Sequence, residues 1–120
     1  MVDDDVSIRR ALRTHLQVLG FNVSVFESAE ELLASDFPTD NACLLLDIYM
    51  PGMNGIELCR SLADSGRQPP TVLMSARDDE QTKQSMREAK PIATLFKPFD
   101  EKTLLRALRK ALRNCSNLQH

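Results

Sequence analysis

Asp3, Asp4, Asp47, Ser75 and Lys97 each stand directly after an apolar run, and their side chains belong together chemically. Carboxylates crowded into one crevice repel, and each raises the other's pKa unless a cation neutralises them. A hard divalent ion held by carboxylates, a backbone carbonyl and water meets that need, and magnesium is the ion a cytoplasm supplies. A carboxylate in such a pocket can attack a phosphoryl group and form an acyl phosphate. Magnesium and the Lys97 ammonium would offset the charge on the moving group, and Ser75 would donate a hydrogen bond to its oxygens. The plainer alternative is that the Asp3-Asp4-Asp5 run caps a helix, a task open to Asp5 or Ser7. Capping leaves Asp47, at the end of an apolar run, unexplained.

The elements that must carry these residues follow from periodicity. Val6, Ile8, Leu12, Leu16 and Leu19 recur at helical spacing, and Gly20 supplies a stop. Residues 21–26 alternate with period two, as a strand with two unlike faces does. Ser28-Ala29-Glu30-Glu31 has the form of a capping box opening a short helix that ends near Ser35. Residues 42–46 are continuously apolar, as expected of a parallel strand covered on both faces. Pro51, Gly52, Asn54 and Gly55 then enforce a loop, and Ile56, Cys59, Leu62 and Ala63 mark a helix. Residues 71–74 and 92–96 read as strands on either side of a polar helix over about 79–90, whose clearest apolar anchors are Met86 and Ala89. The last helix carries Leu104, Leu105, Leu108, Ala111 and Leu112 on one stripe and Lys102, Arg106, Arg109, Lys110 and Arg113 opposite. Strand alternating with helix gives an α/β fold with a mostly parallel sheet. Ligands bind beyond the carboxyl ends of such strands, where all the singled-out residues fall.

Length and composition bound the function further. A chain of 120 residues, 42% hydrophobic and 27% charged, fits one globular domain. Its longest apolar stretch is far too short to span a bilayer, and the start has no secretory pattern. A net charge of −2 argues against nucleic-acid binding by this segment alone. Cys43, Cys59 and Cys115 lack CxxC spacing, so neither a disulfide framework nor a zinc site is indicated, and a reducing cytoplasm fits. His15 lies on the apolar side of the first helix and reads as packing rather than as a phosphorelay donor.

At four places, in order and over nearly the whole chain, the sequence resembles the receiver domain of two-component response regulators. They are Val2-Asp3-Asp4, the segment 46–55 (LDIYMPGMNG), Leu73-Met74-Ser75-Ala76, and Phe96-Lys97-Pro98-Phe99. The resemblance implies a flavodoxin-like (CheY-like) doubly wound sheet of five parallel strands in the order 2-1-3-4-5. It implies that Asp47 accepts phosphate from a phosphohistidine on a sensor histidine kinase or phosphotransfer protein. Asp4 would bind magnesium directly and Asp3 mainly through water, with Asp47 and the Tyr49 carbonyl as further ligands. Ser75 and Lys97 would contact the phosphoryl group, and Ser75 and Thr94 occupy the switch positions. Lys97-Pro98 is a candidate cis peptide. The chain would catalyse only its own phosphorylation and dephosphorylation. Its signal would leave by the fourth helix, fifth strand and last helix. Residues 1–113 would form the domain and 114–120 the start of a linker, commonly toward a DNA-binding output.

Departures from the family pattern carry expectations of their own. The first strand has only Met1 and Val2 before the acidic pair. An interior strand that short leaves backbone unpaired on both neighbours, so the chain is cut from a longer one, compromised, or completed by a partner chain. Thr94 stands where an aromatic is usual, with Phe96 on the same strand face. Lys90-Pro91 replaces an Ala-Gly pair, which should stiffen the entry to the fifth strand and forbid a glycine-type backbone there. Tyr49 and Arg77 flank the expected site and should hinder the water that hydrolyses an acyl phosphate. Acidic residues 78–80 and the basic last helix are complementary across a two-fold homodimer. Among rivals, a haloacid-dehalogenase-like phosphatase needs a second Asp where Tyr49 stands, and a flavodoxin-like redox protein needs a phosphate-cradling loop where residues 3–5 are acidic. A pseudo-receiver, an interaction module without chemistry, is favoured by the short first strand and opposed by intact Asp47, Ser75 and Lys97.

Overall fold

The computed structural model describes residues 1–3, 5–37 and 42–118, so Asp4 lies outside the described residues. Three strands, β1 (Leu44–Asp47), β2 (Thr71–Ser75) and β3 (Ala93–Phe96), pair in parallel in that order. The register sets Leu46 beside Leu73 and Leu73 beside Thr94. Every residue of β1 and β2 is buried, the pattern of strands covered on both faces.

Alternate side chains feed two cores. Leu44, Leu46 and Leu73 pack against α2 (Ala29–Leu33), α3 (Gly55–Asp64) and α4 (Glu80–Glu88), through Leu32, Leu58, Leu62 and Met86. On the other face Leu45, Val72, Met74 and Leu95 meet α1 (Val6–Val18) and α5 (Glu101–Leu118), through Leu16, Leu104, Leu108 and Ala111. Each fully buried aliphatic side chain contributes about 1.5–3 kcal/mol, so both faces stabilise the sheet. The cap expected at Asp5 forms, and of the capping box expected at Ser28–Glu31 only the Ser28 half does. Asp5 accepts hydrogen bonds from the Ser7 and Ile8 amides, and Ser28 accepts one from the Glu31 amide.

Val2 bridges in parallel to both Leu46 and Phe26, which places the lines of the sheet in the order Phe26, Val2, β1, β2, β3. The short stub is bonded on both sides. The Val2 amide donates to the Leu45 carbonyl at 2.8 Å, the Phe26 amide to the Met1 carbonyl at 2.9 Å, and the Met1 ammonium to the Ser24 carbonyl at 2.9 Å. The strand expected over residues 21–26 does not form beyond the single bridge at Phe26. Its alternation survives as exposure, with Phe21, Val23 and Val25 half-buried and Asn22 and Ser24 exposed. A ladder needs a run of paired backbone, and the pairing seen here is the Val2–Phe26 bridge with the Met1 bond to the Ser24 carbonyl. A cleft of about 140 Å³ lies between Val23-Ser24 and Cys43-Leu44.

Lys90 corrects a second expectation. Its φ of 53° lies in the left-handed region that Lys90-Pro91 was expected to forbid. Proline fixes its own φ, not its neighbour's, and Lys90 follows the cap of α4 at Ala89, where left-handed backbone commonly ends a helix. Its amide donates to the Arg87 carbonyl at 3.1 Å, which offsets part of the roughly 1–2 kcal/mol cost of that conformation. At the other end of the chain, α5 runs on to Leu118 without a break at Arg113.

Candidate functional site

The carboxyl ends of the Val2 line, β1 and β2, with the residue after β3, bring Asp3, Asp47, Ser75 and Lys97 to one edge of the sheet. Asp3 is fully buried and Asp47 is 6% exposed. The Lys97 ammonium lies between them, with Nζ 2.7 Å from Asp3 Oδ2 and 3.5 Å from Asp47 Oδ2. Asp3 Oδ1 also accepts the Asp5 amide at 3.0 Å, and Arg9 donates to the Asp3 carbonyl at 2.7 Å, tying the acidic turn to α1. Burial and the neighbouring Asp3 charge push the Asp47 carboxyl up to about 6, against the pull of Lys97 and the Tyr49 amide. Burial alone would lower the Lys97 pKa, but its hydrogen bond to Asp3 and the charges of Asp47 and Asp3 raise it above the ordinary value. Gly55 lets α3 start against this edge, because a Cβ there would lie 2.6 Å from the Asp47 carbonyl oxygen.

Ser75 is buried, and its hydroxyl faces the following loop. Oγ donates to the Arg77 carbonyl at 2.8 Å and accepts the Arg77 amide at 2.9 Å. The Lys97 amide donates to the Ser75 carbonyl at 2.7 Å, so the ends of β2 and β3 are fixed together, and Lys97-Pro98 is cis. Thr94 is not brought to the site. It is exposed on β3, whereas Phe96, beside Ser75 in the register, packs against the core that contains Met86.

Tyr49 and Arg77 meet at the mouth of the site, the guanidinium 5.0 Å from the ring centroid. Arg77 also donates to Asp79 Oδ2 from Nη2 at 2.8 Å. The Tyr49 hydroxyl reaches Thr82 Oγ1 on α4 at 2.5 Å. Thr82 is a buried contact that the reading of α4 by its apolar anchors passed over. Its spacing of four from Met86 was the available signal.

A divalent cation fits the oxygens present. Asp3 and Asp47 are hard carboxylate donors whose mutual repulsion Lys97 offsets only in part, and the Tyr49 carbonyl follows two residues after Asp47. Among the described residues there is no group of three or more His, Cys, Asp or Glu able to hold a metal; the third expected carboxylate, Asp4, lies outside them.

A sequence model of the response regulator receiver domain matches residues 1–109. The chain belongs to this family. Over 113 residues the receiver is 35% identical to response regulator protein TmoT of Ectopseudomonas mendocina, covering 94% of this chain and 51% of that protein. It is 28% identical over its whole length to transcriptional regulatory protein ResD of Bacillus subtilis, covering 50% of that protein. The receiver therefore spans about half the length of these curated relatives. Among solved structures, response regulator StyR superposes with a TM-score of 0.88 at 39% identity, covering 98% of this chain and 60% of that one. FixJ-N superposes at 0.85 and 30%, covering 93% and 90%. The fold is thus the CheY-like one, and the receiver is a signalling module of two-component systems. None of its described helices is long and apolar enough to cross a membrane.

Proposed function

We propose that Asp47 is the phosphoacceptor, taking a phosphoryl group from a phosphohistidine on a sensor histidine kinase or phosphotransfer protein in the cytoplasm. An Asp47 carboxylate oxygen attacks phosphorus, the P–N bond breaks, and its electron pair leaves with the imidazole. Magnesium, held by Asp3, Asp4, Asp47 and the Tyr49 carbonyl, would supply charge neutralisation between the carboxylates and the phosphoryl oxygens. Lys97, 3.5 Å from Asp47, can turn from that carboxylate to the new phosphoryl oxygens. Ser75 can do the same by giving up its hydrogen bond to the Arg77 carbonyl. The observation that carries this reading is the buried, charge-crowded Asp47 facing Lys97 at the carboxyl edge of a parallel sheet. The receiver catalyses only its own phosphorylation and dephosphorylation.

The signal then leaves by the face of α4, β3 and α5. Residues 1–113 act as the unit, and 114–120 lead toward a DNA-binding output, as the greater length of the relatives and the name of ResD support. Asp78, Asp79 and Glu80 are exposed at the start of α4, and Lys102, Arg106, Arg109 and Lys110 are exposed on α5. Charges so arranged pair across a two-fold homodimer of phosphorylated receivers. Sedimentation of the beryllofluoride-treated protein as a strict monomer at high concentration would refute the dimer.

Incubation with labelled acetyl phosphate and magnesium tests the site itself. Wild type should take label and Asp47→Asn should not. Label on the variant would move the acceptor elsewhere, and none on wild type would leave the pseudo-receiver reading.

A further inference from the structure

We infer that Thr82 is a positioning residue for the phosphoacceptor site. Its hydroxyl holds the Tyr49 ring across the opening between β1 and α4, so the lifetime of the acyl phosphate depends on where α4 stands. The inference rests on the phosphoacceptor reading of Asp47 and adds a residue of α4 to it.

Thr82 is 1% exposed, and it and Met86 are the residues that α4 buries. A buried hydroxyl needs a partner, and the Tyr49 hydroxyl at 2.5 Å supplies one. The contact belongs to a closed ring. Asp79 accepts the Thr82 amide at 2.7 Å and the Arg77 guanidinium at 2.8 Å, and that guanidinium lies over the Tyr49 ring. The Thr82 amide and hydroxyl, with Arg77, hold the Asp79 carboxyl below its ordinary pKa. Tyr49 is therefore fixed by its backbone beside Asp47, by Arg77 over its face, and by Thr82 at its tip.

Ser75 connects this ring to the chemistry. Its hydroxyl holds the Arg77 backbone through both amide and carbonyl, and a hydroxyl donating to a phosphoryl group cannot also donate to the Arg77 carbonyl. Phosphorylation thus loosens the ring at Arg77, and displacement of α4 loosens it at Thr82. While Thr82 holds its hydroxyl, the Tyr49 ring narrows the approach of water to the acyl phosphate, and displacement of α4 frees it.

The experiment compares Thr82→Val, Thr82→Ser, Tyr49→Phe and the Thr82→Val/Tyr49→Phe double variant, each labelled with acetyl phosphate and magnesium and then followed as label is lost. Tyr49→Phe keeps the ring and removes only the bond to Thr82, whereas Thr82→Val keeps the volume and removes that bond together with the hydroxyl's contact to Asp79. Each should hydrolyse about 2- to 10-fold faster than the parent, the span one neutral hydrogen bond covers. The double variant should be no faster than the faster single one, and Thr82→Ser should restore the parent lifetime. Tyr49 is the one tyrosine in a chain without tryptophan, so intrinsic fluorescence reads its setting directly. Thr82→Val should shift that signal and Thr82→Ser should not. Effects that add in the double variant, a parental lifetime in Thr82→Val, or an unshifted fluorescence signal would each overturn the inference. A parent that takes no label would refute the phosphoacceptor reading, and this role with it.

Discussion

Removing the charge of Asp47 should stabilise the magnesium-free receiver, and only above a defined pH. Its carboxyl is pushed from an ordinary 3.8 up to about 6 by burial and by Asp3. The unfolded chain therefore releases this proton about two pH units before the folded one does. Between those values the native state binds more protons, so stability falls as pH rises and levels off above about 6. At roughly 1.4 kcal/mol per unit, the full loss is about 3 kcal/mol. Asp47→Asn avoids it. The variant keeps an oxygen to accept the Tyr49 amide, and Lys97 keeps its shorter bond to Asp3 at 2.7 Å. The pull of Lys97 is already contained in the raised value, so the gain at pH 8 is about 3 kcal/mol. Urea denaturation in EDTA at pH 5 and pH 8 reads the difference. The variant should gain on the parent as pH rises, and added magnesium should narrow the gap by binding the folded parent. A gap independent of pH, or a parent more stable than the variant at pH 8, would refute the account of a desolvated, repelled carboxylate.

Lys97→Met should destabilise the magnesium-free protein by about 3–5 kcal/mol, because it strips the ammonium from the fully buried Asp3. The urea midpoint checks this, and a loss under about 1 kcal/mol would mean that Asp3 has another source of charge compensation. Gly55→Ala should lower the melting temperature and slow labelling, since its Cβ would stand 2.6 Å from the Asp47 carbonyl oxygen and 2.9 Å from Ile48 Cα. A backbone clash of that kind costs on the order of 1–3 kcal/mol, and an unchanged melting curve would show that α3 shifts freely.

Much of the site was legible because parallel strands are buried on both faces. The first polar residue after such a run must lie at its carboxyl edge, and that groups Asp3, Asp47, Ser75 and Lys97 from the sequence alone. What escaped depends on partners rather than on local pattern. Residues 21–26 alternate as a strand does, but a ladder is a property of two backbones, and among these residues only Phe26 is bridged to a neighbour. Thr82 escaped because its burial is set by Tyr49, thirty-three positions away. The direction of the Ser75 hydroxyl is a rotamer choice, made by the Arg77 backbone. Lys90 shows the limit of a local rule: the end of α4 decided its backbone, and the proline after it did not.

The position of Thr94 bears on how such a receiver would signal. A coupling that runs through β3 needs a side chain on that strand able to move between core and surface. Thr94 is already exposed, and Phe96 is half-buried against the core of Met86. The buried hold of α4 is correspondingly thin, one threonine and one methionine four residues apart, so shifting the helix costs little. Half of that hold is the residue that closes on Tyr49. Under the proposed chemistry, the route from Asp47 to the α4 face is therefore shortest through Ser75, Arg77 and Tyr49, without crossing β3. A partner that binds α4 in its displaced position would, by the same contacts, shorten the life of the phosphate, because both states draw on one set of hydrogen bonds.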